Sequence, residues 1–246
     1  MPIQAVIFDW AGTVVDYGCQ APVLAIQELF RRRGVPLEAN EARHAMGLLK
    51  RDQLREILAL PQVAQRWRAA HGDVDLLDEL FAEFIPLQLE IVEQSSAVIS
   101  GVPEVVAHLR IQGLKIGSTT GYTRAMLAPV IQRAAREGYS PDFTITPDET
   151  KAGRPAPWMI FENMRALDAY PPSAIVKVGD TPSDMAEARN AGVWAVAVVD
   201  SSNEASAFGK EEARRNLLAA GADAAIATLQ ELPALIQSFE GRKPSS

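Results

Sequence analysis

IQAVIFDWAGT, residues 3–13, decides the architecture. Its first six residues are short, β-rich and almost wholly apolar, the pattern of a strand covered on both faces, and the run stops at Asp9 before a Gly12 turn. A strand buried on both sides needs helices above and below it. Working outward, residues 114–118 (LKIGS), 174–178 (AIVKV) and 194–199 (WAVAVV) repeat the pattern and hand over to Thr119-Thr120, Gly179-Asp180 and Asp200. Residues 142–145 and 224–226 are weaker strand candidates. Helical spacing fills residues 102–112, 123–137, 157–167 and 185–191, with Gly113, Gly138 and Gly192 as C-terminal stops. The alternation predicts an α/β fold, a doubly wound parallel sheet with helices on both faces. Ligands in such sheets bind beyond the carboxyl ends of the strands, where Asp9, Thr120, Asp180 and Asp200 are expected to converge.

Residues 20–99 break the alternation. Apolar residues recur at helical spacing over 21–34, 39–60, 64–71 and 75–94, interrupted by Gly34-Val35-Pro36, Pro61 and Gly72-Asp73. The expected organisation is a Rossmann-like core, residues 1–19 and 100–246, with an inserted helical cap over 20–99, seated above the active end of the first strand.

The whole chain of 246 residues is 48% hydrophobic and 22% charged, the make-up of an ordinary globular protein. A net charge of −7 repels phosphate backbones, so nucleic acid is not an expected partner. No apolar run approaches the roughly 18 to 20 residues that span a bilayer, so no membrane partner is expected either. The single cysteine, Cys19, cannot pair within the chain, and the first residues lack the pattern of a signal peptide. The expected location is a reducing cytoplasm.

Asp9-Trp10-Ala11-Gly12-Thr13, Ser118-Thr119-Thr120-Gly121, Arg154-Pro155 and Gly179-Asp180-Thr181-Pro182-Ser183-Asp184 each fall at a strand end or helix start. Taken alone, Asp9 reads as a helix cap or turn former, and Asp180 as an Asx turn. Together, in this order, the four elements resemble the haloacid dehalogenase superfamily of phosphotransfer hydrolases. The chemistry is coherent: Asp9 attacks phosphorus only if a cation offsets repulsion from the phosphoryl group. Asp9, Asp180, the Ala11 carbonyl and Asp184 would supply hard oxygen ligands for Mg²⁺, directly or through water. The Thr120 hydroxyl, Gly121 N–H and Arg154 guanidinium can contact phosphoryl oxygens. Lys151 rivals Arg154 for that task but reads as surface.

Position 11 divides the superfamily, because its phosphatases and mutases carry there a second Asp that protonates the leaving alcohol. Ala11 cannot do so, which points to a leaving group that needs no such proton. A carbon leaving group fits if a lysine first condenses with a neighbouring aldehyde, since the departing electrons then flow into the iminium. Met46-Gly47-Leu48-Leu49-Lys50 offers one. Helical periodicity alone puts Lys50 on the surface, in a basic face with Arg51 and Arg55, but FDWAGT, DYGC, MGLLK, GSTTGYTR, AGRPAPWM and KVGDTPSDM together resemble the phosphonoacetaldehyde hydrolase, or phosphonatase, family. The resemblance implies Asp9 as nucleophile, Lys50 as imine-forming amine, Asp180 as metal ligand, Arg154 as phosphoryl contact, and Met46, Cys19 and Tyr122 lining the site. It also implies a small phosphonate substrate and a homodimer. Gln53 departs from the pattern: the family has there a histidine that relays protons, and an amide cannot accept and release a proton near neutral pH. His44 is no substitute, since a helical offset of six points it to another face. Two other readings stay open, a capped Mg-dependent phosphatase or dehalogenase acting on another small substrate, and a silent relative that only binds phosphorylated ligands.

Overall fold

The computed structural model describes residues 2–239 and 241–244. Six parallel strands form its sheet: β1 (Ala5–Phe8), β2 (Lys115–Ser118), β3 (Phe143–Thr144), β4 (Ile175–Gly179), β5 (Trp194–Val198) and β6 (Ala224–Ile226). Their order is β3-β2-β1-β4-β5-β6. The direction of winding reverses between β1 and β4, the place where a crevice opens in a sheet of this kind. Register fixes what stands there, since Phe8 lies between Ser118 and Val178, so Asp9 emerges beside Thr119 and Gly179. The Asp9 N–H donates to the Val178 carbonyl at 2.8 Å and the Thr119 N–H to the Phe8 carbonyl at 3.0 Å, so the sheet itself aims the carboxylate.

Between β1 and β2 come α1 (Gln20–Arg32), α2 (Ala39–Ala42), α3 (Lys50–Ala59), α4 (Pro61–His71), α5 (Leu77–Ser95) and α6 (Val102–Ile111). Then α7 (Arg124–Arg136) follows β2, α8 (Trp158–Ala166) follows β3 and α9 (Pro182–Ala191) follows β4. After β5 come α10 (Asn203–Phe208) and α11 (Lys210–Ala219), and α12 (Leu232–Ser238) follows β6. Two apolar clusters, one on each face of the sheet, bury alternate residues of the strands: Val6 and Phe8 on one side, Ala5 and Ile7 on the other. Gly113, Gly138 and Gly192 end their helices with φ between 70° and 93°, a region that costs an L side chain energy.

The helices α1 to α5 hang from two linkers that run side by side, with the Asp16 N–H on the Ala97 carbonyl at 3.0 Å and the Ile99 N–H on the Val14 carbonyl at 2.9 Å. Asp16 starts α1 by accepting the Gln20 and Ala21 N–H groups on its two oxygens at 2.9 and 3.0 Å.

One element differs from the sequence expectation. Residues 39–60 are not one helix: α2 stops at Ala42, residues 43–49 form a turn, and α3 opens at Lys50. Ala45 and Gly47 take φ of 53° and 91° in that turn. The cause is contact with the core, since a Cβ at Gly47 would lie 2.5 Å from Thr181 Oγ1 and 2.2 Å from Ser183 Oγ. Apolar spacing continues through the turn and conceals it.

Candidate active site

The strand ends gather a buried charged platform. Arg154 has its guanidinium among three carboxylates: Nη2 donates to Asp9 Oδ1 at 2.7 Å, Nη1 lies 3.0 Å from Asp184 Oδ1, and Nε donates to Glu187 Oε2 at 3.0 Å. The same Nη2 donates to Thr119 Oγ1 at 2.7 Å. Lys177 joins from β4, with Nζ 2.8 Å from Thr119 Oγ1 and 2.9 Å from Asp184 Oδ1. Asp180 makes no ion pair among the described residues; its Oδ2 accepts the Asn203 N–H at 2.8 Å and the Cys19 thiol lies 3.4 Å away, while the Thr13 hydroxyl reaches Oδ1 at 3.4 Å.

The ionisation of the three aspartates follows this arrangement. Burial raises Asp9 above the ordinary carboxylate value, with Arg154 opposing. Burial and the neighbouring Asp9 raise Asp180 much further. For Asp184, burial acts in the same sense, but Arg154 and Lys177 prevail and hold it below the ordinary value. Four buried carboxylates, Asp9, Asp180, Asp184 and Glu187, thus face two buried cations, Arg154 and Lys177. Burial and mutual repulsion drive Asp9 and Asp180 toward the protonated form, and a cation between them would favour their ionised form. Asp9, Asp180 and Asp184 each offer an oxygen within 4.8 Å of the others. Three hard oxygen donors this close together fit a divalent cation of the kind that carboxylates bind.

The helical insert closes over this platform. Its Lys50, only 2% exposed, opens α3, and Nζ donates to Gln53 Oε1 at 2.8 Å, one turn along the helix. Gln53 is fixed in that orientation because its Nε2 donates to the His44 carbonyl at 3.2 Å and the Ala42 carbonyl at 3.4 Å, leaving Oε1 to face the amine. Met46 Sδ lies 3.5 Å from Lys50 Nζ, and the Tyr122 ring centroid 5.5 Å. Burial in these weakly polar surroundings lowers Lys50 from its ordinary 10.5 to about 8. Burial also keeps the Tyr122 phenol and the Cys19 thiol protonated, both well above their ordinary values. The Cys19 sulfur sits 3.1 Å from the Ala11 carbonyl oxygen.

Insert and core enclose a cavity of about 20 Å³. Asp9, Ala11, Cys19, Met46, Lys50, Thr120, Gly121, Tyr122, Arg154 and Asp180 all line it; Gln53 and Asp184 stand behind. Gly121 permits the closure, since a Cβ there would lie 2.7 Å from the Leu48 carbonyl oxygen and 2.9 Å from that of Gly47. Thr120 Oγ1 accepts the Tyr122 N–H at 3.1 Å, which leaves its own proton for a ligand.

Two expectations change, those for Asp200 and His44, and of the two readings of Lys50 the surface one falls. Lys50 is not on a surface basic face, because the turn at 43–49 delivers the start of α3 inward; only its neighbours Arg51 and Arg55 reach outward, to Asp78 and Asp52. Asp200 does not join the other strand-end carboxylates: it pairs with Lys210 at 2.7 Å and lines a separate cavity of about 520 Å³ beside the linkers. His44 is exposed as expected, but through the turn rather than a helical offset; only its backbone carbonyl meets Gln53. Lys151 is exposed, with its ammonium 5.5 Å from the Trp158 ring. The sequence reading missed Thr119, Lys177 and Glu187. The signal was a lysine inside the apolar run AIVKV, which a strand covered on both faces carries only with a buried partner. Glu187, three residues after Asp184 on α9, shares its helical face.

Residues 3–192 match the family model of the haloacid dehalogenase-like hydrolases. A phosphonoacetaldehyde hydrolase of Bacillus cytotoxicus is 44% identical over 98% of this chain and 97% of its own, and one of Bacillus cereus matches equally. Among solved structures, a phosphonoacetaldehyde hydrolase-like protein from Oleispira antarctica superimposes with a TM-score of 0.96 at 33% identity, covering 99% of this chain and 96% of that one. A hydrolase from Pseudomonas syringae, at 18% identity and a TM-score of 0.74 over 95% of this chain and 98% of its own, shares the fold. By sequence along nearly its whole length, and by the carboxylates, guanidinium and buried lysine that its strand ends and insert bring to one cavity, the chain belongs to the phosphonoacetaldehyde hydrolase family of the haloacid dehalogenase-like hydrolases.

Proposed function

We propose that the protein hydrolyses the carbon–phosphorus bond of phosphonoacetaldehyde to acetaldehyde and phosphate, with residues 20–99 acting as the cap. The observation that carries this reading is the buried Lys50 amine, ionising at about 8, in the cavity that Asp9 also lines. An amine condenses with an aldehyde only when neutral, and this one is neutral in about a tenth of molecules at pH 7.

Lys50 Nζ adds to the aldehyde and water leaves, giving an iminium. Asp9 then attacks phosphorus; the carbon–phosphorus bond breaks, its electrons move into the iminium, and an enamine and an aspartyl phosphate remain. Water hydrolyses the aspartyl phosphate, and protonation and hydrolysis of the enamine return Lys50 and release acetaldehyde. Ala11 suits this route, because the carbon leaving group departs into the iminium and needs no acid at that place. Thr120, Gly121 and the one N–H of Arg154 not committed to Asp9, Thr119, Asp184 or Glu187 would meet the phosphoryl oxygens. Asp9, Asp180 and the Ala11 carbonyl would hold Mg²⁺, with Asp184 close by; when bound, the ion offsets the repulsion between Asp9 and the phosphoryl oxygens. Arg154 and Lys177 keep Asp184 ionised, and Gln53 holds the Lys50 amine by one fixed acceptor. Gln53 leaves proton exchange to water.

The family resemblance further supports a homodimer, tested by light scattering. A cytoplasmic location agrees with the single buried Cys19 and with the finding that, among the described residues, no helix is long and apolar enough to cross a membrane. The reaction is tested with phosphonoacetaldehyde and borohydride followed by peptide mass spectrometry. A reduced two-carbon adduct on Lys50 is expected; phosphate release without any such adduct would overturn the imine step.

A further inference from the structure

The turn that delivers Lys50 into the cavity begins at Arg43. Its guanidinium is buried, yet among the described residues no carboxylate pairs with it. A buried cation normally sits against an anion. Arg43 instead gives one nitrogen to two neutral acceptors, with Nη1 donating to the Gly18 carbonyl at 2.7 Å and to Asn203 Oδ1 at 3.0 Å. Both acceptors lie outside the insert. Gly18 belongs to the first linker, where its N–H donates to the Ser201 carbonyl at 2.9 Å, and Asn203 opens α10 on the core. Asn203 also donates its own N–H to Asp180 Oδ2 at 2.8 Å, so the residue that Arg43 grips by its side chain steadies a carboxylate of the platform by its main chain.

Packing alone does not seat this side of the turn. A cavity of about 310 Å³ runs along the seam, lined by Arg43, Ala45 and Met46 from the insert and by Pro182, Ser183 and Asn203 from the core. Met46 also lines the small cavity that holds Lys50 and Asp9. Apolar contact is therefore interrupted beside the wall of the site, and the bonds of Arg43 span the seam at that place. We propose that Arg43 is a positioning residue for Lys50, a latch that seats the turn at 43–49 on Gly18 and Asn203 and so keeps the insert closed over Asp9. Opening parts the guanidinium from Asn203 and returns it to water; closing remakes the bond as Lys50 is buried. The assignment deepens the reading of residues 20–99 as a cap and rests on it.

Cys19, the single cysteine, lines the closed cavity at 1% exposure, so its alkylation by iodoacetamide reports opening without an introduced probe. The experiment measures that rate without substrate for the parent, Arg43→Met, Asn203→Ala and the double variant. Hydrogen exchange of the β5 amides, measured alongside, reports global unfolding. Methionine keeps an unbranched apolar stem but donates nothing. Removing a positive charge beside Gly18-Cys19 by itself leaves less thiolate and slows alkylation. The latch predicts the opposite sign: alkylation about tenfold or more faster in Arg43→Met and about threefold or more faster in Asn203→Ala, with β5 exchange at the parental rate. Because the two residues act through one contact, the double variant is expected to be within about twofold of Arg43→Met. Parental or slower alkylation in either folded single variant, acceleration matched by β5 exchange, or gains that multiply in the double variant would overturn the latch. Failure of the cap reading looks different: alkylation would keep pace with β5 exchange already in the parent, because only global unfolding would expose the thiol, and cap and latch would fall together.

Discussion

Replacing Lys50 by methionine should abolish borohydride trapping and, near neutral pH, relieve the folded protein of an electrostatic burden whose size the structure sets. Burial lowers the amine from 10.5 to about 8, and at 2% exposure solvent does little to soften that cost. Between those two values the unfolded chain keeps a proton that the folded chain has released, so the unfolded state binds more protons and stability rises with pH. The burden is full below pH 8, about 3 kcal/mol, and vanishes above 10.5. Evaluated at two points, it is about 3 kcal/mol at about pH 7 and about 1 kcal/mol at about pH 10, a change of about 2 kcal/mol. Methionine also removes the partner of Gln53 Oε1, but that loss is the same at both pH values and cancels when the two are subtracted. The assay is urea unfolding of wild type and Lys50→Met at both pH values. Relative to the variant, the wild type should gain about 2 kcal/mol on going to the higher pH. A gap between the two proteins that does not change with pH would refute the desolvated amine, and with it the reason for assigning the imine to this lysine.

Three further outcomes follow from the same geometry. Burial and Asp9 hold the Asp180 carboxyl far above its ordinary value, a cost that an amide does not bear, so Asp180→Asn should raise the melting temperature in chelator; it should also erase the stabilisation by Mg²⁺ expected of the parent, about 2.7 kcal/mol at one hundred times the dissociation constant, read by calorimetry. Gln53→His should speed borohydride trapping by about tenfold or more by supplying a group that exchanges protons near neutrality. It should also lower stability by about 1 kcal/mol or more as the bonds to the Ala42 and His44 carbonyls are lost, both effects being checked on one preparation. Gly121→Ala sets a methyl group 2.7 Å from the Leu48 carbonyl oxygen, so the insert cannot seat fully, and turnover should fall by about tenfold or more while the core stays folded by circular dichroism.

The sheet was legible because strands covered on both faces leave almost unbroken apolar runs, and each run in this chain ends at a polar residue on one edge of the sheet. The same rule placed Asp9, Thr120 and Asp180 together. It failed for Asp200, because β5 is one strand further from the reversal of winding and its end opens onto the linkers instead. Lys50 was beyond periodicity altogether. Hydrophobic spacing reports which face of a regular helix is buried, and Lys50 stands where the helix begins, turned inward by Ala45 and Gly47 with positive φ. Charge networks are equally hard to read in one dimension. Thr119, Lys177 and Glu187 belong to three elements, and only the misfit of a lysine within β4 hinted at partners elsewhere.

The location of the amine on the insert and of the nucleophile on the core has a chemical consequence. An amine ionising at about 8 is neutral in about one molecule in ten at pH 7, whereas one ionising at 10.5 is neutral in about one in three thousand. The surroundings that make the difference come from both sides of the cavity, Met46 and Gln53 from the insert and Tyr122 and Ala11 from the core. Withdrawing the insert would return Lys50 to water and lower its reactive fraction by about 300-fold. A cavity of about 20 Å³ holds roughly one water molecule, so substrate must enter while the insert is withdrawn and the amine is protonated. On the proposed route closure then does two things at once: it strips the amine of water so that it can add to the aldehyde, and it brings that aldehyde's phosphorus over Asp9. A free aldehyde meeting the open protein finds an unreactive ammonium. On that route selectivity for a substrate bearing both an aldehyde and a phosphoryl group arises from the pKa of Lys50 as much as from the shape of the cavity.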